Sequence, residues 1–360
     1  MECFRIDESG YTGFDLLNPQ QRFQGAAAVA ISDDDARRLI NTHFPKLQAT
    51  ELKYRSLSRR PGNHPHLIAL VRDVLQGFKS VTYICDKRFL LVMMFLDWAA
   101  EPYYYARGLN FYQDGQHYGM GSLLLRVGPS ILGADAFEAM LAAFQRAVKE
   151  KSPDSLQALV AAVRRTNWTE LPEALGPLAQ YADPDCLRAI ATPGVSTDAA
   201  IVVMQALITR MEVMASGPYR VEHDESKNLA TYSGLLQAFI DHKGEAEFRS
   251  SKIATVKFPL KLTEVVQVNS KASPAVQIAD VMIGAVVEAG NSLIGERTGG
   301  LDPQVLLSLF GDEQLIHLVP DLDFEAQKAF REGSHGAELI DYFATNFGSK
   351  MGIKPTKEGG

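Results

Sequence analysis

Cysteine is scarce in this chain: Cys3, Cys85 and Cys186 are the only three, far apart and without C-x-x-C spacing. That excludes a disulfide scaffold or a thiolate zinc site and suits a reducing compartment. No G-x-x-x-x-G-K-[S/T] occurs, so a P-loop nucleotide site is excluded; the glycines of "GERTGG" (295–300) follow no strand and read as a helix-exit loop. No apolar run is long enough to span a bilayer, which argues against a membrane protein. A basic segment followed by an apolar one is missing near Met1, so no secretory signal is expected and a cytoplasmic location follows. Positive charge is not in excess either. The formal net charge is -7, so a polyanionic ligand would have to be met by a local basic cluster or by metal ions rather than by the overall field. "KYRSLSRR", Lys53 to Arg60, is such a cluster; a solvated loop is its plainer use.

What is present is a chain of 360 residues, 46% hydrophobic and 22% charged, the balance of a globular protein with one large or two moderate domains. "CFRID" (3–7) reads as a short central strand and "FQGAAAVAIS" (23–32) as a second strand of small residues. "SDDDARRLINTHF" then begins a helix that Ser32 caps, with Asp33 to Asp35 complementing its positive end and Pro45 stopping it. "TELKYRS" (50–56) reads as a strand. After the helix "HLIALVRDVLQGF", the β-branched and aromatic run Val81 to Cys85 reads as a strand buried on both faces. From about 98 to 215 the periodicity is mostly helical, in segments separated by Pro or Gly, which predicts a large helical insertion. Strand character returns at 217–226 and again, as one or two strands, over 253–270. An apolar helix follows over 273–290 and a helical tail from about 300, ending in the frayed segment "KPTKEGG".

The most informative feature is acidic. Carboxylates recur at predicted strand ends (Asp7, Glu51, Asp86, Asp224), and Asp280 stands in an apolar helix among Val276, Ile278, Val281, Met282 and Ile283. An isolated ionised carboxylate there is disfavoured unless paired or bound to a cation. Each acid alone has a structural use: Asp7–Glu8 as a surface turn, Glu51 paired with Lys53, Asp86 as a strand exit, Asp224 as a cap for a helix starting near Lys227, and Asp280 as acceptor from a neighbouring strand. Together they suit two hard cations that activate water and stabilise the leaving oxygen in phosphodiester hydrolysis. Mg²⁺ or Mn²⁺ takes oxygen ligands, and no His/Cys cluster accompanies these acids.

At these residues the sequence resembles a known family. "IDESG", "ELKY", "CDK", "HDES" and "VNSKASPAVQIADVMIGAV" resemble, in that order, the domain-of-unknown-function family 3800, over residues 4 to about 290. The last motif, Ser270-Lys271 with Gln277 and Ala279-Asp280, is the most specific. The resemblance implies an α/β, ribonuclease-H-like mixed sheet flanked by helices, formed by 1–97 and 216–300, with 98–215 inserted and 301–360 as a C-terminal helical extension. It implies a nuclease centre in which Asp7, Glu51, Asp86 and Asp280 are catalytic and, with Asp224, bind metal. Glu8, Ser9, Lys53, Lys271 and Gln277 would support them. DNA or RNA is the implied substrate, in a setting of prokaryotic defence or mobile elements, with a protein partner or self-association as further expectations. The alternative is an inactive scaffold of the same fold that works through its helical insertion. An Asp-x-Glu proofreading exonuclease and an Asp-x-Asp haloacid-dehalogenase-like phosphatase fit poorly, because Asp7 and Glu8 are adjacent and Ser9 follows them.

Overall fold

The structure is a computed structural model that describes residues 1–225 and 231–348; the helix start near Lys227 and the segment "KPTKEGG" lie outside the described residues. Eight strands are described: β1 Glu2–Ser9, β2 Phe23–Val29, β3 Ser80–Asp86, β4 Tyr219–Asp224, β5 Ala246–Ser251, β6 Ala254–Phe258, β7 Leu262–Val268 and β8 Leu315–Leu318. Six form one mixed sheet in the order β7-β4-β1-β2-β3-β8, and β5 and β6 pair separately as a two-stranded ribbon. β2 lies between β1 and β3 and runs antiparallel to both. On the other side of β1 the sheet continues with β4 and β7, both parallel to it, and β8 closes the far edge parallel to β3.

Period-two alternation divides the apolar side chains between two cores. Phe4 and Ile6 of β1, Ala28 of β2 and Val81, Tyr83 and Cys85 of β3 face one side. There they join Phe89 and Phe95 of helix Lys87–Ala99 and Phe137, Phe144, Leu159 and Leu175 of the helices that follow. The region 98–215 is thus helical and shares its core with the sheet. Ala27, Val29 and Ile84 face the other side, against helices Asp33–His43, His64–Gly77 and Pro274–Leu293. β2 is buried along its whole length, and small residues there let helices close in on both faces. At Gly25 even a methyl group would meet the carbonyl oxygen of Tyr83 at 2.0 Å and the Ile283 side chain at 2.8 Å.

Helix Asp33–His43 starts as expected, with Ser32 Oγ accepting from the backbone N–H of Asp35. Asp33 has a second use: its Oδ1 accepts from Ser273 Oγ and from the backbone N–H of Ala275, which anchors the start of helix Pro274–Leu293. Two expectations are corrected. Residues 50–56 form no strand; Glu51 to Lys53 lie in a loop that enters the short helix Tyr54–Leu57. Their backbone donors are taken by side chains of helix Pro274–Leu293, Leu52 N–H by Gln277 Oε1 at 2.8 Å and Tyr54 N–H by Asp280 Oδ2 at 2.7 Å, leaving no ladder to join. The tail after 300 is not wholly helical, because β8 adds to the main sheet. Among the described residues no helix is long and apolar enough to cross a membrane.

Candidate metal centre

β1 and β4 run parallel with Ile6 beside His223, so Asp7 and Asp224 emerge side by side at their carboxyl ends. Asp7 lies opposite Ala27, on the face covered by helix Pro274–Leu293, and that helix carries Asp280. The close approach of loop 51–53 is allowed by Gly284, one turn beyond Asp280: a Cβ there would sit 2.6 Å from the Tyr54 ring. Four separate pieces of chain therefore deliver acids to one place.

At the centre stands the Lys53 ammonium. Its Nζ lies 3.0 Å from Glu51 Oε1, 3.9 Å from Asp224 Oδ2 and 4.0 Å from both Asp7 Oδ2 and Asp280 Oδ1. Further hydrogen bonds hold each carboxylate. Asp7 Oδ1 accepts from Glu8 N–H at 2.8 Å and Asp280 from Tyr54 N–H. Ser270 clasps two acids at once, its backbone N–H donating to Asp224 Oδ1 at 3.0 Å and its hydroxyl to Glu51 Oε1 at 2.6 Å. Gln277 braces both loops: besides accepting from Leu52 N–H, it donates from Nε2 to the Ser270 carbonyl at 2.7 Å.

The electrostatics follow from burial and crowding. Burial, then the negative charge of Asp280, pushes Asp7 up to about 8, against the pull of Lys53 and the Glu8 N–H. Asp280 is also raised by burial, although the Tyr54 N–H and Lys53 oppose it. Burial would raise Glu51 too, but the Ser270 hydroxyl and Lys53 bring it below the ordinary glutamate value. Burial would lower Lys53; the charges of Asp280, Asp7 and Glu51 and the Glu51 hydrogen bond hold it above the usual lysine range.

A cavity of about 420 Å³ opens beside the cluster, lined by Asp7, Glu8, Lys53, His223, Asp224 and Asp280 among others. Its far wall is helix Ala200–Met214, with Val203, Met204 and Leu207 turned toward it. His223 is buried, Nδ1–H donating to the Asp224 carbonyl at 2.7 Å, and burial lowers its pKa.

Asp86 does not join this group. Two strands over and four residues further along, its Cα is about 16 Å from that of Asp7. Its carboxylate caps helix Lys87–Ala99 through the N–H groups of Arg88 and Phe89 and pairs with Arg22 at 2.7 Å. A strand-end acid beside a lysine reads the same in sequence whether it caps a helix or faces a site. Ser9 borders a neighbouring groove rather than the acid cavity, while Glu8 borders both. Lys271 is exposed, its backbone N–H on Asn269 Oδ1, and its charge contributes to lowering Glu51. Sequence reasoning missed the Ser270 clasp, which lies inside the last motif, and the wall from helix Ala200–Met214, which carries no polar signal.

The chemistry of the donor set fits a hard divalent cation: four carboxylates, oxygen donors only, around a point already holding positive charge. The spacing is that of an ammonium-centred cluster. Mg²⁺ requires oxygens at about 2.1 Å, and among the described residues no group of three or more Asp, Glu, His or Cys stands at ligand spacing.

Fold and site define a mixed α/β protein with a carboxylate cluster where parallel strands end. The chain matches no protein-family model, no curated protein and no solved structure.

Proposed function

We propose that the protein is a Mg²⁺- or Mn²⁺-dependent nuclease, hydrolysing phosphodiester bonds of DNA or RNA on a ribonuclease-H-like sheet. One observation carries the reading: acids from β1, the 51–53 loop, β4 and helix Pro274–Leu293 converge on one cationic nitrogen. Distant acids brought together at this cost in desolvation need a cation, and a divalent ion compensates several carboxylates at once.

Asp7, Glu51, Asp224 and Asp280 would hold the ion. When bound, it would supply an activated water and stabilise charge on the leaving oxygen. Ser270 and Gln277 fix Glu51 and Asp224 in place. His223 keeps its proton on Nδ1, so Nε2, without a hydrogen-bond partner among the described residues, could accept one from a substrate in the cavity that the residue lines. Val203, Met204 and Leu207 make part of the cavity lining apolar.

The test is Asp7→Ala and Asp280→Ala, separately, with cleavage of single- and double-stranded substrates followed in Mg²⁺. Each variant loses activity on this reading; wild-type rates in both would remove these residues from the mechanism. A second reading, a scaffold whose acids are neutralised by a structural lysine, is favoured by the position of Lys53 at the centre. Calorimetry with Mn²⁺ separates the two, since a nuclease site must take up the ion and a closed ion-pair cluster need not.

A further inference from the structure

A second groove, about 760 Å³, adjoins the acid cavity and shares Glu8 with it. Its floor is the continuation of helix Pro274–Leu293 beyond Asp280, through Gly284, Val287 and Asn291, and Arg55 forms part of its side. From Asp280 to Asn291 the helix rises about 16 Å, so the groove leads directly away from the acids. Arg55, Arg59 and Arg60 are exposed within six residues of one another. Among the described residues none of the three has a side-chain hydrogen bond or ion pair, whereas most other arginines of this acidic protein are tied to carboxylates. Their segment is firmly anchored: Tyr54 N–H bonds Asp280, Ser58 Oγ bonds the buried Glu288, and the Leu57 and Ser58 carbonyls accept from Asn63 and His64. Three unpaired guanidiniums thus stand on a segment anchored to the acid cluster through Tyr54, with Arg55 at the groove itself. Of the acids lining the groove, Glu288 is neutralised by Arg297 at 2.6 Å; Glu8 and Glu296 also line it, so a polyanion would be drawn by the Arg55–Arg60 segment.

We infer that this groove and the Arg55–Arg60 segment bind the backbone of a single-stranded polynucleotide, seating one phosphodiester at the acids and its neighbours along the arginines. The inference rests on the nuclease reading for its direction. A single strand is favoured because Asp7 is recessed: it is only 7% exposed, and a flexible strand can turn a phosphodiester inward where a stiff duplex would have to bend. Phosphate contacts from arginine are independent of sequence and weaken with salt.

The experiment measures binding by fluorescence anisotropy in EDTA, where no hydrolysis occurs. The probes are labelled oligothymidylate, oligouridylate and a mixed-sequence duplex of equal length, across a salt series. The proteins are wild type and R55Q/R59Q/R60Q, whose exposed substitutions leave the unfolding midpoint unchanged. Wild type binds the single strands better than the duplex, and the two single-stranded arms distinguish DNA from RNA. The triple variant binds about 10- to 100-fold more weakly at 0.1 M salt, with a log–log salt slope shallower by about 2. Equal or tighter duplex binding, undetectable wild-type binding, or an unchanged slope in the folded variant overturns the inference. If arginine-dependent binding persists while wild type fails to cleave in Mg²⁺, the nuclease reading falls and the backbone track stands.

Discussion

Lys53→Met keeps the aliphatic stem and removes the charge around which four carboxylates are gathered. Without it, Asp7, Glu51, Asp224 and Asp280 face one another with only hydrogen bonds to hold them. Removing one partner from a fully buried ion pair costs about 3–5 kcal/mol. Here the Lys53 side chain is 34% exposed and that of Asp224 28%, so solvent screens part of the loss and about 1–3 kcal/mol is expected near pH 9. The pH dependence has a definite sign. Asp7 titrates at about 8 in the folded protein, above its ordinary 3.8, so the unfolded chain releases that proton first. Stability therefore falls as pH rises from about 4 to 8 and then levels off. Lys53 pulls the Asp7 value down; in the variant the decline continues above pH 8, and the penalty is smaller near pH 6. A divalent cation should replace the missing ammonium, adding about 2.7 kcal/mol at one hundred times its dissociation constant. Urea unfolding of both proteins across this pH range, with and without MnCl₂, measures all three effects. A variant as stable as wild type at pH 9, or one that Mn²⁺ fails to stabilise, refutes the reasoning that these acids form a cation-dependent unit.

Gln277→Leu should strand the buried Leu52 N–H and the Ser270 carbonyl, lowering unfolding free energy by about 2–4 kcal/mol and weakening Mn²⁺ binding in calorimetry through the freed Glu51 loop. Asp86→Asn should disturb the Arg22 pair and the cap of helix Lys87–Ala99, costing about 1–3 kcal/mol, yet leave Mn²⁺ affinity unchanged; a loss of affinity would tie Asp86 to the site after all.

The helical periodicity of 98–215, the buried strand at Val81–Cys85 and the capped helix after Ser32 were legible because each is specified locally, by side-chain period and end chemistry. So was the anomaly of Asp280, since a charge among apolar neighbours needs compensation wherever the chain goes. Residues 50–56 show where local reading stops. Their alternation suits a strand, but the partners that decide are Gln277 and Asp280, over two hundred residues away, and hydrogen bonds to those side chains replace a ladder. β8 is another case: Leu315–Leu318 is a strand because the edge of β3 stands open beside it.

Composition and pattern thus determined on their own that this is an α/β chain with acids in places that call for positive charge. Which acids meet was decided by tertiary structure. Strand register sets Asp7 beside Asp224, helix packing adds Asp280, and a side-chain-braced loop brings Glu51 and Lys53, while the same sheet carries Asp86 about 16 Å off to cap a helix. The physical reason is that a residue's type and neighbours define what it needs, whereas distances between residues far apart in the chain are set only when the elements pack.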